Sequence, residues 1–226
     1  MTALELARLL DHSVLKPEAT EAEVLAGARV VREGSIGYYC VQPMWVRAAV
    51  AALAGSDAQV VSVIGFPHGC ERSPTKADAA RLAVSEGARE LDMVIHIGAL
   101  KGGDAALAEA DIAAVVQAAS GLPVKVILET GILSEAEKRI ACRLVCNAGA
   151  AFVKTSTGFH ASGGATVTDI RLLRAQVGPN FGVKASGGIR TLADTLAMID
   201  AGANRIGTSA SATILAVLGT PSGKPP

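Results

Sequence analysis

The sequence predicts a closed (β/α)₈ barrel, and three observations carry that prediction. Short β-branched runs alternate eight times with Ala- and Leu-rich segments of helical period. Polar exceptions to the apolar runs gather at their carboxyl ends, where barrels of this class keep their chemistry. Nothing in the 226 residues has the composition of an inter-domain linker. Strand–helix alternation implies a parallel sheet with helical crossovers, and eight repeats in about 200 residues suit a closed ring. An open doubly wound sheet is the rival, and it would leave two or three repeats unused. One domain is therefore expected over residues 1–226, opened by a short N-terminal helix.

The elements follow in order. "MTALELARLLDHS" begins with a short amphipathic helix carrying acidic residues, unlike a signal or transit peptide. The first four strand candidates are "LLDHSVL" (9–15), "IGYYCVQ" (36–42), "AQVVSVIG" (58–65) and "RELDMVIHIG" (89–98). The other four are "VKVILET" (124–130), "AFVKTS" (151–156), "FGVKAS" (181–186) and "NRIGTS" (204–209). Between them lie helical stretches such as "TEAEVLAGARVVRE", "PTKADAARLAVSEG", "GDAALAEADIAAVVQAAS", "SEAEKRIACRLVCNAG" and "TLADTLAMIDAG". Several start on Thr, Ser or Asp and stop at Gly, as helix caps should. "AGSDAQ" (54–59) is a turn, and the tail 217–226 has little to bury and is expected to be loose.

Half of the residues are hydrophobic, and 21 basic residues balance 21 acidic ones. With no basic stripe and no polyanionic run, nucleic acid and anionic membranes are poor partners. No apolar run approaches the roughly 20 residues of a membrane span. A cytoplasmic protein is the expectation. Cys142 and Cys146 sit four apart on one helix face without acidic or histidine partners at ligand spacing, so packed thiols are expected there rather than a metal. Cys40 and Cys70 complete a set with no disulfide framework.

The strand ends hold the chemistry. Asp92 and His96 share a face of strand four, and Lys125 and Glu129 share a face of strand five. Strands six and seven carry Lys154 and Lys184 at matching positions. A single buried lysine is most simply half of an ion pair. Two on adjacent strands repel, which a purely structural role leaves unexplained. An ordinary lysine, with a pKa of ~10.4, has about 0.04% of its amine free at pH 7. A cationic neighbour and partial desolvation that lower the pKa by ~3 leave roughly a third free, at a cost of about 4 kcal/mol. Such an amine attacks a carbonyl and forms a Schiff base, and Asp92 is the candidate for moving protons. The pattern alone does not rank the two lysines.

"TSTGF", "ASGGI" and "GTSAS" follow strands six, seven and eight. Glycine lets backbone N–H groups approach a phosphate, and helix N-termini add positive dipoles. A small substrate with a carbonyl at one end and a phosphate at the other fits both halves.

These residues resemble the class I deoxyribose-phosphate aldolase family nearly end to end. The shared motifs are "LDHSVLKPEAT", "YCVQP", "VIGFPHG", "ELDMVIHIGALK", "VKVILETG", "FVKTSTGF", "VKASGGIRT" and "RIGTSA". The resemblance implies a (β/α)₈ barrel that needs no cofactor or metal. It implies reversible cleavage of 2-deoxy-D-ribose 5-phosphate to glyceraldehyde 3-phosphate and acetaldehyde, in deoxyribonucleoside catabolism. It makes Lys154 the Schiff-base nucleophile and Lys184 the neighbour that lowers its pKa and assists proton transfer. Asp92 becomes the proton donor and acceptor. Gly158, Gly187, Gly188, Gly207 and Ser209 become phosphate contacts, and Asp11 and Cys40 fall near the substrate. Dimers are common in that family, so a homodimer joins the expected partners. Gln42 and His96 stand where the family usually has Asn, and His96 is expected to alter the pocket or to make a plain hydrogen bond. The C-terminal tyrosine that some members use as a relay has no counterpart in this tail.

His12 and His160 lack metal spacing, and His68 in "FPHGC" is expected at the pocket mouth. Lys125 with Glu129 is expected to form an internal ion pair, and Lys16 and Lys76 to be solvated charges. Two rival functions remain: a phosphosugar isomerase or epimerase, and a barrel that binds a phosphometabolite without turnover. Both leave the paired lysines without a purpose.

Overall fold

The computed structural model describes residues 1–219, and its eight strands form a closed parallel ring in chain order. They are β1 (Leu10–Val14), β2 (Tyr38–Val41), β3 (Gln59–Ile64), β4 (Glu90–Val94), β5 (Val124–Ile127), β6 (Phe152–Lys154), β7 (Gly182–Ser186) and β8 (Arg205–Thr208). Because β1 pairs with β8 as well as β2, the sheet has no open edge to protect. The helices are α1 (Ala3–Leu9), α2 (Glu21–Glu33), α3 (Val46–Ala52), α4 (Ser73–Ser85), α5 (Ile97–Lys101), α6 (Ala105–Ala118), α7 (Glu135–Asn147), α8 (Val167–Val177), α9 (Leu192–Asp200) and α10 (Ser211–Gly219). α1 precedes the barrel, and α5 is an extra turn ahead of the crossover helix α6. Among the described residues no helix is long and apolar enough to cross a membrane.

Helix starts follow the cap chemistry. Thr2, Thr20, Ser134 and Thr191 form capping boxes with Glu5, Glu23, Glu137 and Asp194. Each such cap is worth about 1 kcal/mol, and the last three fix where crossover helices α2, α7 and α9 begin.

The main core lies between sheet and helices. α2 buries Val24 and Val31, α4 buries Ala77, Ala80 and Ala83, and α6 buries Ile112 and Val115. Alternation along β2 sends Tyr39 outward, where its hydroxyl donates to the Val24 carbonyl at 2.6 Å, and Cys40 inward. Inside the ring, Leu15, Cys40, Val61 and Val63 form a separate small apolar group. It fills the β2–β3 side of the barrel, while β1 and β4–β8 supply the charged groups.

Several expectations need correction. β4 ends at Val94, so His96 is not a strand residue: it caps α5, its Nδ1 accepting from the Ala99 N–H at 3.1 Å. Lys76 is not solvated. Its amine is buried between Asp111 at 2.6 Å and the Val94 carbonyl at 3.0 Å, and it ties α4 to α6 and β4. The tail expected to be loose starts inside α10, and its residues 220–226 lie outside the described residues.

Cys40 and Cys142 are buried, and burial pushes both thiols up to about 12. Cys146, expected to be packed, is exposed, as is Cys70. An aromatic disulfide reagent should therefore label Cys70 and Cys146 quickly and the other two only on denaturation. Fast labelling of all four in the native protein would mean that the core is open.

Candidate active site

Seven charged side chains from six strands meet inside the barrel. β1 supplies Asp11, β4 Glu90 and Asp92, β5 Lys125, β6 Lys154, β7 Lys184 and β8 Arg205, all buried. Register puts Lys154 opposite Lys184 and Asp92 opposite Lys125. Asp92 is the hub. Its Oδ2 accepts from Lys154 Nζ and from Lys184 Nζ at 2.7 Å each, and its Oδ1 accepts from Lys125 Nζ at 2.8 Å. The two amines singled out in the sequence are thus held within two hydrogen-bond lengths of each other. Lys184 Nζ also donates to Asp11 Oδ2. Below this layer Lys125 pairs with Glu90 at 2.5 Å, and Arg205 pairs with Glu90 at 2.7 Å while stacking on Tyr38.

The electrostatics separate the two lysines. Burial pushes the Lys154 amine below its ordinary value; the Asp92 carboxylate opposes that, and the Lys184 charge adds to it. Burial would also lower Lys184, but the carboxylates of Asp11 and Asp92 overcome it, and its pKa is raised. For Asp92 burial favours the neutral acid, yet the ammonium groups of Lys125, Lys154 and Lys184 hold it well below the usual carboxylate range. A count of charge leads to the same distribution. Three carboxylates (Asp11, Glu90, Asp92) face four basic groups (Lys125, Lys154, Lys184, Arg205), so this ion-paired network is neutral only when one amine gives up its proton. Lys154, with one carboxylate partner and no share in Asp11 or Glu90, is the amine placed to do so.

Above the network opens a cavity of about 500 Å³ at the carboxyl ends of the strands. Asp11, Cys40, Lys154 and Lys184 line its floor; Gly158, Gly187, Gly188, Gly207 and Ser209 line its wall. Asp92 is fully buried beneath that floor. Gly158, Gly187 and Gly188 have φ values of 82°, 89° and 77°, a region that side chains rarely enter. Among the described residues their N–H groups have no hydrogen-bond partner. Gly207 has a different reason to lack a side chain, since a Cβ there would stand 3.0 Å from Lys184 Cε.

The remaining candidates fall elsewhere. Glu129 does not pair with Lys125; it follows the end of β5 in a left-handed conformation, and its carboxylate accepts from Thr157. His12 lines the cavity, its pKa lowered by burial against the pull of Asp11, with Nδ1 3.2 Å from Ser211 Oγ. His68 and His160 are exposed and absent from the cavity lining, and His96 does not line it either. Gln42 donates to the Leu15 carbonyl at 2.8 Å, tying two loops together. Among the described residues no cluster of three His, Cys, Asp or Glu side chains could hold a metal ion. Sequence reading missed Glu90 and Arg205. Period-two alternation from Asp92 and from Gly207 points to both.

A closed barrel with a depressed amine, an ionised carboxylate and a glycine-lined mouth has the equipment of an aldolase. The chain belongs to the DeoC/LacD aldolase family, whose pattern matches residues 6–217. It is 50% identical over 212 residues to the deoxyribose-phosphate aldolase of Brevibacillus brevis, covering 94% of this chain and 96% of that one. To the Bacillus cereus enzyme of the same name it is 51% identical over 213 residues, covering 94% and 95%. The solved deoxyribose phosphate aldolase of Aeropyrum pernix, described as tetrameric, superposes with a TM-score of 0.90 at 30% identity, covering 97% of this chain and 93% of that one.

Proposed function

We propose that this protein is a class I aldolase that reversibly cleaves 2-deoxy-D-ribose 5-phosphate to glyceraldehyde 3-phosphate and acetaldehyde, in deoxyribonucleoside catabolism. The single observation carrying the reading is that two buried amines share one carboxylate oxygen while only one of them is held below its ordinary pKa. The free amine of Lys154 attacks the aldehyde carbon, and loss of water gives an imine. Removal of a proton from the C3 hydroxyl then breaks the C2–C3 bond, and the imine takes up the electron pair as an enamine. Protonation of the enamine and hydrolysis release acetaldehyde. Asp92, ionised, accepts protons, and Lys184, charged, donates them.

The phosphate end of the substrate fits the glycine wall. N–H groups at Gly158, Gly187 and Gly188, unpartnered among the described residues, supply donors, and α10 starts at Ser211, just beyond Ser209, with the positive end of its dipole. Lys16 and Arg190, both exposed, line the same mouth and, set against Glu23 there, add positive charge that backbone donors lack. A cytoplasmic homo-oligomer completes the reading, in keeping with the tetramer described for the Aeropyrum pernix relative.

Incubation with acetaldehyde and borohydride, followed by peptide mass mapping, should place a stable adduct on Lys154. An adduct on Lys184 instead would reverse the two roles. No adduct, with isomerase activity or with binding but no turnover, would transfer the assignment to one of the rivals.

A further inference from the structure

Glu129 is a buried carboxylate with no ion-pair partner among the described residues. It sits between the end of β5 and a short 3₁₀ turn at Thr130–Ile132, with φ 57° and ψ 59°, a conformation that L-residues with a side chain avoid. Glycine would adopt that turn freely, yet the position holds a carboxylate. An outlier of this kind in a strand-end loop points to a job for the side chain.

The side chain reaches across to the loop after β6. Glu129 Oε2 accepts from Thr157 Oγ1 at 2.5 Å, and its two oxygens lie 3.3 and 3.4 Å from Thr157 N. Thr157 Oγ1 in turn accepts from Phe159 N at 3.1 Å. Around this contact the two loops interlock. Thr130 N donates to the Thr155 carbonyl at 2.9 Å, and a Cβ on Gly131 would stand 2.6 Å from Ser162 Oγ. Glu129 and Thr157 therefore occupy the N–H groups of Thr157 and Phe159, on either side of Gly158. Gly158 N–H is left without a partner among the described residues, in a residue that lines the cavity.

We propose that Glu129 is a positioning residue for the substrate's phosphate group: by fixing Thr157 it fixes the direction of the Gly158 N–H. This rests on the aldolase reading above, and it concerns only the phosphate end. A carboxylate suits the task because it accepts from the N–H and the hydroxyl of one residue at once, which clamps both.

The test compares kcat/KM for 2-deoxy-D-ribose 5-phosphate with that for 2-deoxy-D-ribose. Glu129→Gly keeps the left-handed turn and deletes the carboxylate. The ratio of the two values should fall about tenfold or more, the worth of one hydrogen bond to a charged group. The change should lie in KM for the phosphorylated sugar rather than in kcat. Glu129→Gln, which keeps one acceptor, should fall between, and Thr157→Val should resemble Glu129→Gly. If Glu129→Gly does not fold, the other two variants decide. An unchanged ratio, or kcat falling alike on both sugars, would overturn the proposal. Borohydride trapping with acetaldehyde, which has no phosphate, tells the two levels apart. A Lys154 adduct alongside an unchanged ratio sinks only the role of Glu129, whereas a wild-type protein without the adduct sinks the aldolase reading and this proposal with it.

Discussion

Lys154→Met protein is expected to fold, to retain its affinity for the phosphorylated substrate and to lose at least ~10⁴-fold in kcat, as loss of a covalent nucleophile does. Its stability should move the other way. Methionine matches the length of the lysine stem, and the buried position already disfavours a charge there. The substitution leaves Lys125, Lys184 and Arg205 against Asp11, Glu90 and Asp92, the same balance that the network has with Lys154 unprotonated. Asp92 keeps two of its three ammonium partners. Removing one partner of a buried pair costs about 3–5 kcal/mol where it leaves a charge uncompensated, and here none is left so, which is why stability should hold or rise. Urea midpoints of the two proteins measure this directly. Residual turnover within a hundredfold of wild type, or a borohydride adduct on another lysine, would remove Lys154 from the role of nucleophile. A large loss of stability would mean that the amine is a structural ion-pair partner.

Most of the barrel is legible in the sequence because its signals are local. Each strand run and each capping residue states its own element, and Lys154 and Lys184 announce themselves as charges in apolar strands. What failed was reach. "RELDMVIHIG" continues apolar past Val94, and only the Ala99 N–H, available once α5 forms, makes His96 a cap rather than a strand residue. Lys125 and Glu129 share a face only if β5 runs on to 129, and it stops at Ile127. Lys76 is exposed by any local rule; its partner Asp111 lies 35 residues away on another helix. Only family likeness puts Asp11 near the substrate in the sequence. Its ion pair with Lys184 spans 173 residues and exists because the ring closes β8 onto β1. Pairings set by closure have no local signature.

Closure also makes the second large prediction possible. Lys184→Leu leaves three basic groups (Lys125, Lys154, Arg205) facing three carboxylates, so the network is now neutral with Lys154 protonated. The Lys154 amine loses a repulsive neighbour, and Asp92, relieved of one ammonium, is freer to hold Lys154 in its charged form. The expected result is a kcat at neutral pH lower by roughly 10²–10⁴-fold, the range of a lost proton-transfer group. The acid limb of the pH–rate profile should move to higher pH, because the free amine then appears only as pH rises through a higher value. Asp11 meanwhile keeps a buried carboxylate whose hydrogen-bonded ion-pair partner is gone, which should cost about 3–5 kcal/mol of stability. Adding Asp11→Asn to Lys184→Leu provides the decisive comparison. Three basic groups then face two carboxylates, the excess cation returns, and the acid limb should move back toward the wild-type position as the stability recovers. If the single variant leaves the limb in place and raises only KM, Lys184 is a substrate ligand rather than the amine's electrostatic neighbour. If the double variant keeps the limb displaced, net charge in the barrel is not what frees the Lys154 amine.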